Sequence, residues 1–178
     1  MSSLRIREMT LADCGRVAEI RVRGWQTAYE GLIPRPYLEA LSVTEDAARR
    51  RAFFERDGGG IVNLVAERDG EVVGWACHGP YRDGEVPTED VELYAIYVHP
   101  DRIGDGVGRA LLSESTHRCA AAGHGRMLLW VLKENIRARR FYERAGFAAD
   151  GAEEPFDAAG VAVPEVRYVR ALADVGSS

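Results

Sequence analysis

The 178-residue sequence is short of cysteine, of excess positive charge and of long apolar runs. Cys14, Cys77 and Cys119 are odd in number, widely spaced and never form C-x-x-C. A disulfide framework is therefore not expected, and reduced thiols in a cytoplasmic protein are. No H-x-x-H, H-E-x-x-H or paired C-x-x-C occurs, so no metal centre is expected. Lys and Arg number 23 against 28 Asp and Glu, a net charge of −5. That argues against a nucleic-acid surface, which needs basic side chains to neutralise phosphates. No apolar run approaches the length of about 18 residues that a membrane helix needs. The start, Met1 to Arg7, has no apolar stretch of the signal-peptide kind.

What is present fits a single globular unit. Apolar types make up 46% and charged types 29%, with no internal repeat and no long low-complexity linker. One domain over residues 1–173 is expected, with 174–178 a frayed tail. Leu4 to Glu8 alternates like an exposed strand. Thr10 to Asp13 reads as a capping box. Leu11, Cys14, Ala18, Val22, Trp25 and Tyr29 then recur at helical steps. Tyr37 to Leu41 and Glu45 to Arg56 are further helical pieces, with Gly58 to Gly60 a break. Ile61 to Glu67 and Glu71 to His78 read as a hairpin turning at Asp69-Gly70. Pro80 to Asp90 is expected to be a polar loop, whose Asp83, Glu85, Glu89 and Asp90 suit a cationic amine. Val91 to Val98 is a strand, Gly106 to Ala122 a helix, and Arg126 to Leu132 a strand buried on both faces. Ile136 to Ala145 is a helix stopped by Gly146. Strands from Phe147 and over Val163 to Leu172 follow. The mixed order implies an α/β protein with a partly antiparallel sheet.

The densest information lies from Val98 to Leu112. A strand ends at Val98, Gly104, Gly106 and Gly108 alternate, and a helix begins. Such glycines let main-chain N–H groups converge on an anion, and the helix N-terminus adds positive potential. Arg102, Arg109, Arg137, Arg139 and Arg140 can add charge nearby. The ATP-type loop G-x-x-x-x-G-K is missing, and Arg109 stands where a dinucleotide fingerprint needs its third glycine. A second segment, Asn135 to Phe147, reads as an Asn cap, a helix with Ala138, Phe141, Tyr142 and Ala145 on one face, and a glycine stop.

Together the two segments resemble the GNAT superfamily of acyl-CoA-dependent N-acyltransferases, closely from Val91 to Phe147. The family pattern Q/R-x-x-G-x-G/A after V-x-P is met by Ile103 to Gly108 after Val98 to Pro100, with Ile103 replacing the usual Gln or Arg. The pattern N-x-x-A-x-x-F-Y-x-x-x-G-F is matched at every named position from Asn135 to Phe147. Trp25 to Pro34 is similar to members that acetylate small amines. The resemblance implies a mixed, mostly antiparallel twisted sheet of about seven strands with about four helices. It implies acetyl-CoA as cofactor, held by Ile96, Tyr97 and Val98 along its pantetheine arm and by Ile103, Gly104, Asp105, Gly106, Val107, Gly108 and Arg109 at its pyrophosphate. Asn135, Arg139 and Tyr142 complete that set. The implied partner is a small-molecule or peptide amine, without nucleic acid or membrane, and similar proteins often form homodimers through the late strands. A non-catalytic acyl-CoA-binding or sensing module on the same fold is the alternative.

Acetyl transfer to an amine sets three demands. A lysine-like amine of pKa about 10.4 lies roughly 3.4 units above neutral pH, so deprotonation costs about 4–5 kcal/mol. A base or a desolvating pocket lowers that cost. The tetrahedral oxyanion needs a donor, and the leaving thiolate needs a proton or a hydrogen bond. The resemblance gives the last role to Tyr142, with proton transfer from a phenol to the thiolate uphill by only about 2 kcal/mol at unshifted values. Strict alternation places Glu92, Tyr94 and Ile96 on one face of their strand. Glu92 is the first choice of base and Tyr94 the second. Trp25, Tyr29, Leu32, Trp75 and Tyr81 are candidates for the acceptor wall.

Overall fold

A computed structural model describes residues 3–56 and 60–172. Gly58, Gly59 and the expected tail at 174–178 lie outside the described residues. Seven strands form one sheet: β1 (Arg5–Glu8), β2 (Val62–Arg68), β3 (Glu71–Asp83), β4 (Val86–Val98), β5 (Arg126–Leu132), β6 (Ala148–Ala158) and β7 (Val161–Ala171). The five α-helices are α1 (Cys14–Ala28), α2 (Arg35–Glu39), α3 (Val43–Glu55), α4 (Val107–Ala121) and α5 (Ile136–Arg144). The sheet order is β1-β2-β3-β4-β5-β7-β6. Only β4 and β5 run parallel; the other pairs are antiparallel.

The helices pack where their apolar stripes direct them. Cys14, Val17 and Ile20 of α1 bury against Val65, Val72, Trp75 and Cys77 on one face of the sheet. Val107 and Leu111 of α4 bury on the other face against Leu64, Ala66, Val73 and Ala76. That contact depends on a missing side chain: a Cβ on Gly74 would sit 2.7 Å from Val107 Cγ1 and 2.9 Å from Leu111 Cδ1. Tyr142 of α5 joins Leu112, Cys119, Met127, Leu129 and Val166 in the largest cluster of that face. β5 is buried along both faces, as its unbroken apolar run implies.

The capping expectation holds. The Thr10 main-chain N–H donates to Asp13 Oδ2 at 2.8 Å, and Asp13 also takes the Arg7 guanidinium at 2.8 Å. This arrangement holds the Asp13 carboxyl near pKa 2, chiefly through the Arg7 hydrogen bond.

The expected loop from Pro80 to Asp90 is instead the closed end of a long hairpin. Pro80 pairs with Val91 and Asp83 with Val86, and the chain reverses at Gly84, whose φ is 64°. The prolines that suggested a loop are accommodated where the register slips between Pro80 and Arg82, since a bulge needs fewer ladder donors. Asp90 there binds Arg126 at 2.6 Å.

Candidate functional site

β4 and β5 are hydrogen-bonded only at Val91–Met127 and Glu92–Leu128. Beyond that point they diverge, and a cleft of about 420 Å³ opens between them. Its lining comes from the end of α1, from β4, from the start of α5 and from the β6–β7 pair. Separating two parallel strands leaves the β5-facing main-chain edge of β4 without a strand partner, a row of donors and acceptors for an extended amide-bearing ligand.

On one side of the cleft, Ile103 leads into the glycine turn. Gly104 and Gly106 have φ of 94° and 79°, conformations that other residues adopt only with strain. The first intrahelical bond of α4 runs from the Ala110 N–H to the Gly106 carbonyl at 3.1 Å. The N–H groups of Val107, Gly108 and Arg109 thus have no intrahelical acceptor and are available to an anion. Gly108 lies close under Phe141 and Val98, where a Cβ would be 3.5 Å from the phenyl ring. Asp105 is turned away onto Arg68 at 3.7 Å. Ile103 lines the cleft as an exposed apolar side chain, and Arg109 is exposed at the first turn. His99 shapes the approach, its Nδ1 accepting the Asp101 N–H at 3.2 Å.

Tyr142 lines the same cleft and is 9% exposed. Its hydroxyl makes no hydrogen bond among the described residues. Burial, then the neighbouring Tyr97, push its pKa well above the ordinary phenol value. The small transfer cost expected at unshifted values therefore does not apply: in this setting the phenol is a hydrogen-bond donor that keeps its proton. Asn135 caps α5, its Oδ1 accepting the Ala138 N–H at 3.2 Å, and its side chain reaches the cleft edge.

Glu92 lines the floor of the cleft. Burial, followed by the charges of Glu154 and Glu165, raises its carboxyl to about 7. Tyr94 is different in kind. It is 42% exposed, and its hydroxyl donates to the Pro80 carbonyl. Burial and Glu92 raise it to about 12. The expected alternation of Glu92, Tyr94 and Ile96 fails at this point. Cys77 pairs with Ala95 and His78 with Leu93, so Tyr94 is an extra residue, a β-bulge. Ile96 consequently packs with Leu93 on the α4 face, while Ala95 and Tyr97 face α1. Glu92, adjacent to Leu93, points away from the α4 face.

The acceptor-wall candidates divide. Trp25 and Tyr29 line the cleft, and the Tyr29 and Tyr97 hydroxyls lie 3.2 Å apart. Leu32 packs one layer behind, where its neighbour Ile33 reaches the cleft. Trp75 is a core residue instead: it is 3% exposed, its Nε1 donates to Asn63 Oδ1 at 3.0 Å, and Arg50 stacks on its ring. Tyr81 is also withdrawn, its hydroxyl accepting from Arg167 at 3.0 Å. Arg139 is committed elsewhere, donating to the Tyr168 hydroxyl and the Lys133 carbonyl, so it is not free for a phosphate. The acidic residues of the expected loop do not reach the cleft. Glu154, Glu165, Trp130 and Phe156 do, and the sequence offered no local signal for them.

The sequence model of the Acetyltransferase (GNAT) family matches residues 25–147. The chain belongs to this family. The YuaI N-acetyltransferase of Bacillus subtilis (strain 168), itself uncharacterized, is 34% identical over 161 residues, covering 90% of this chain and 89% of that protein. The L-amino acid N-acyltransferase MnaT of Escherichia coli is 33% identical over 147 residues, covering 81% of this chain and 79% of that one. Among solved structures, yncA of Salmonella typhimurium with its cofactor acetyl-CoA superposes with a TM-score of 0.75 at 26% identity, covering 99% of this chain and 98% of that chain. The GNAT chain thus has the α/β architecture expected from its sequence. Among the described residues it has five α-helices, matching the five helical pieces read along the chain, where the resemblance implied about four.

Proposed function

We propose that this GNAT protein transfers the acetyl group of acetyl-CoA to a primary amine by direct attack within the cleft between β4 and β5. The observation that carries the reading is the meeting of Glu92 and Tyr142 in one cleft that Ile103, at the start of the glycine turn, also lines. Acetyl-CoA supplies the activated acyl group and, in its pyrophosphate, an anion suited to the unpaired amides of Val107, Gly108 and Arg109. The open edge of β4 beyond Glu92 suits the amide-rich arm, and its N–H groups suit the oxyanion that forms as nitrogen attacks the carbonyl carbon.

Glu92 is the base in this reading. With its pKa near 7 it is about half ionised at neutral pH and can accept a proton from the incoming ammonium. As the C–N bond forms and the C–S bond breaks, Tyr142 donates a hydrogen bond to the departing sulfur. One amine proton leaves through Glu92 and the second is carried off by the thiol, so charge and atoms balance. A module that only bound acyl-CoA would have no use for a desolvated glutamate and an unpartnered phenol lining one cleft. The three cysteines are free and buried, which supports a reducing, cytoplasmic setting.

Free thiol release with a panel of primary amines, against an amine-free control, tests the reading. Tyr142→Phe is expected to lower kcat at least tenfold while leaving the KM for acetyl-CoA within about twofold. An unchanged kcat would remove Tyr142 from the reaction.

A further inference from the structure

The polar inventory of the cleft is one-sided. Glu92, Glu154 and Glu165 line it, and no arginine, lysine or histidine does among the described residues. Glu154 and Glu165 stand directly opposite each other across the antiparallel β6–β7 pair. Like charges in that position repel and weaken a sheet. Elsewhere on the same strands acids are neutralised: Glu153 takes Lys133 at 2.8 Å and Asp150 takes Arg167 at 2.7 Å. Among the described residues neither Glu154 nor Glu165 has such a partner. Burial and Glu154 raise the Glu165 carboxyl to about 7.

The same cleft also holds a buried polar group without a partner among the described residues. Tyr142, nine-tenths buried, presents a hydroxyl with no protein partner to it. The aromatic rings of Trp130 and Phe156 line the same cleft.

We propose that Glu154 and Glu165 form a subsite for a second positive charge on the acceptor, which makes the substrate an α,ω-diamine or polyamine rather than an α-amino acid. The inference rests on the proposed acetyl transfer and specifies its acceptor. One nitrogen gives its proton to Glu92 and attacks; the distal ammonium stays charged between the opposed carboxylates, with the methylene chain along the aromatic walls. The carboxylate of an α-amino acid would enter a cleft that offers it three carboxylates and no cation.

The experiment measures kcat/KM by thiol release for 1,3-diaminopropane, putrescine, cadaverine and spermidine, beside n-butylamine and methionine. The best diamine or polyamine is expected to exceed both n-butylamine and methionine at least tenfold. The double variant Glu154→Gln/Glu165→Gln is expected to bring the ratio of diamine to n-butylamine close to one, mainly through the diamine KM. Its melting temperature at pH 8 is expected to equal or exceed that of the parent, since it removes an opposed pair of charges. The proposal is overturned if methionine or n-butylamine matches the diamines, or if the double variant keeps the diamine preference. In either case turnover of some amine leaves the acetyl-transfer reading standing. Binding of acetyl-CoA with no amine in the panel acetylated overturns both.

Discussion

Asp46 and the pair Glu92 and Glu165 are all carboxylates withdrawn from water, and their surroundings are opposite. Asp46 is 4% exposed and is gripped by Arg21 at 3.0 Å and Arg50 at 2.9 Å, with Arg49 at 3.7 Å. Arg50 in turn stacks on Trp75, 4.2 Å from the ring centroid. That network ties α1 to α3 and fully answers the charge of the carboxylate. Glu92 is raised by the charges of Glu154 and Glu165, and Glu165 by that of Glu154, with no cation among the described residues lining the cleft. The fully buried acid is neutralised by arginines, while the two half-buried acids of the cleft are not, which is the contrast that the proposed function uses. Bare acids destabilise the empty protein, and a bound cation offsets that cost.

The sharpest break of this comparison is Glu92→Gln. Loss of the base is expected to lower kcat/KM about a hundredfold near neutral pH and to abolish the inflection near pH 7 in its pH profile. Steady-state rates from pH 5.5 to 9 check this, and a retained inflection would assign the base elsewhere. Next comes Asp46→Ala, which leaves two guanidinium groups without their shared partner. It is expected to cost about 2–3 kcal/mol of stability, a fall in melting temperature of roughly 4–12 °C for a domain of this size. The folded fraction should keep its kcat, the reverse of the Glu92 result.

A smaller effect concerns Gly74. Gly74→Ala would press a methyl into Val107 at the first turn of α4, costing about 1–3 kcal/mol as overpacking and raising the acetyl-CoA KM several-fold. An unaltered KM would separate the position of that turn from cofactor affinity. The smallest effect is the pH dependence of the unliganded protein. Folded pKa values of Glu92 and Glu165 lie above their ordinary value of 4.5. Their contribution to stability is therefore full below about 4.5 and is lost as pH rises through about 7. Asp13 has the opposite sign: its contribution is present above 3.8 and is lost as pH falls toward about 2. Denaturant melts of Glu165→Gln and its parent at pH 4 and pH 8 should coincide at the lower pH and favour the variant at the higher.

These contrasts also explain what could be read in advance. The glycine turn and the Asn135–Phe147 helix are contiguous, and their chemistry lies largely in main-chain geometry that local residue types dictate. Gly104, Gly106, Asn135, Gly146 and Tyr142 carry that information one residue at a time. Trp75 and Tyr81 were misplaced because an aromatic in a strand gives no sign of which sheet face a helix will cover. Glu154 and Glu165 were missed for a related reason. They lie in what reads as an ordinary polar strand pair until the order β5-β7-β6 carries that pair beside the splayed strands.

The amino-acid order alone determined most of the elements, the glycine turn and the family, because each depends on spacing within a short stretch; the Pro80–Asp90 hairpin end is the exception. The tertiary structure alone decided the direction of Glu92, since a bulge at Tyr94 arises from pairing with β3 and shifts the alternation by one residue. It alone also gathered acids from β4, β6 and β7 into one cleft without a countercharge. Proximity between residues far apart in sequence is a property of packing, and no local pattern encodes it.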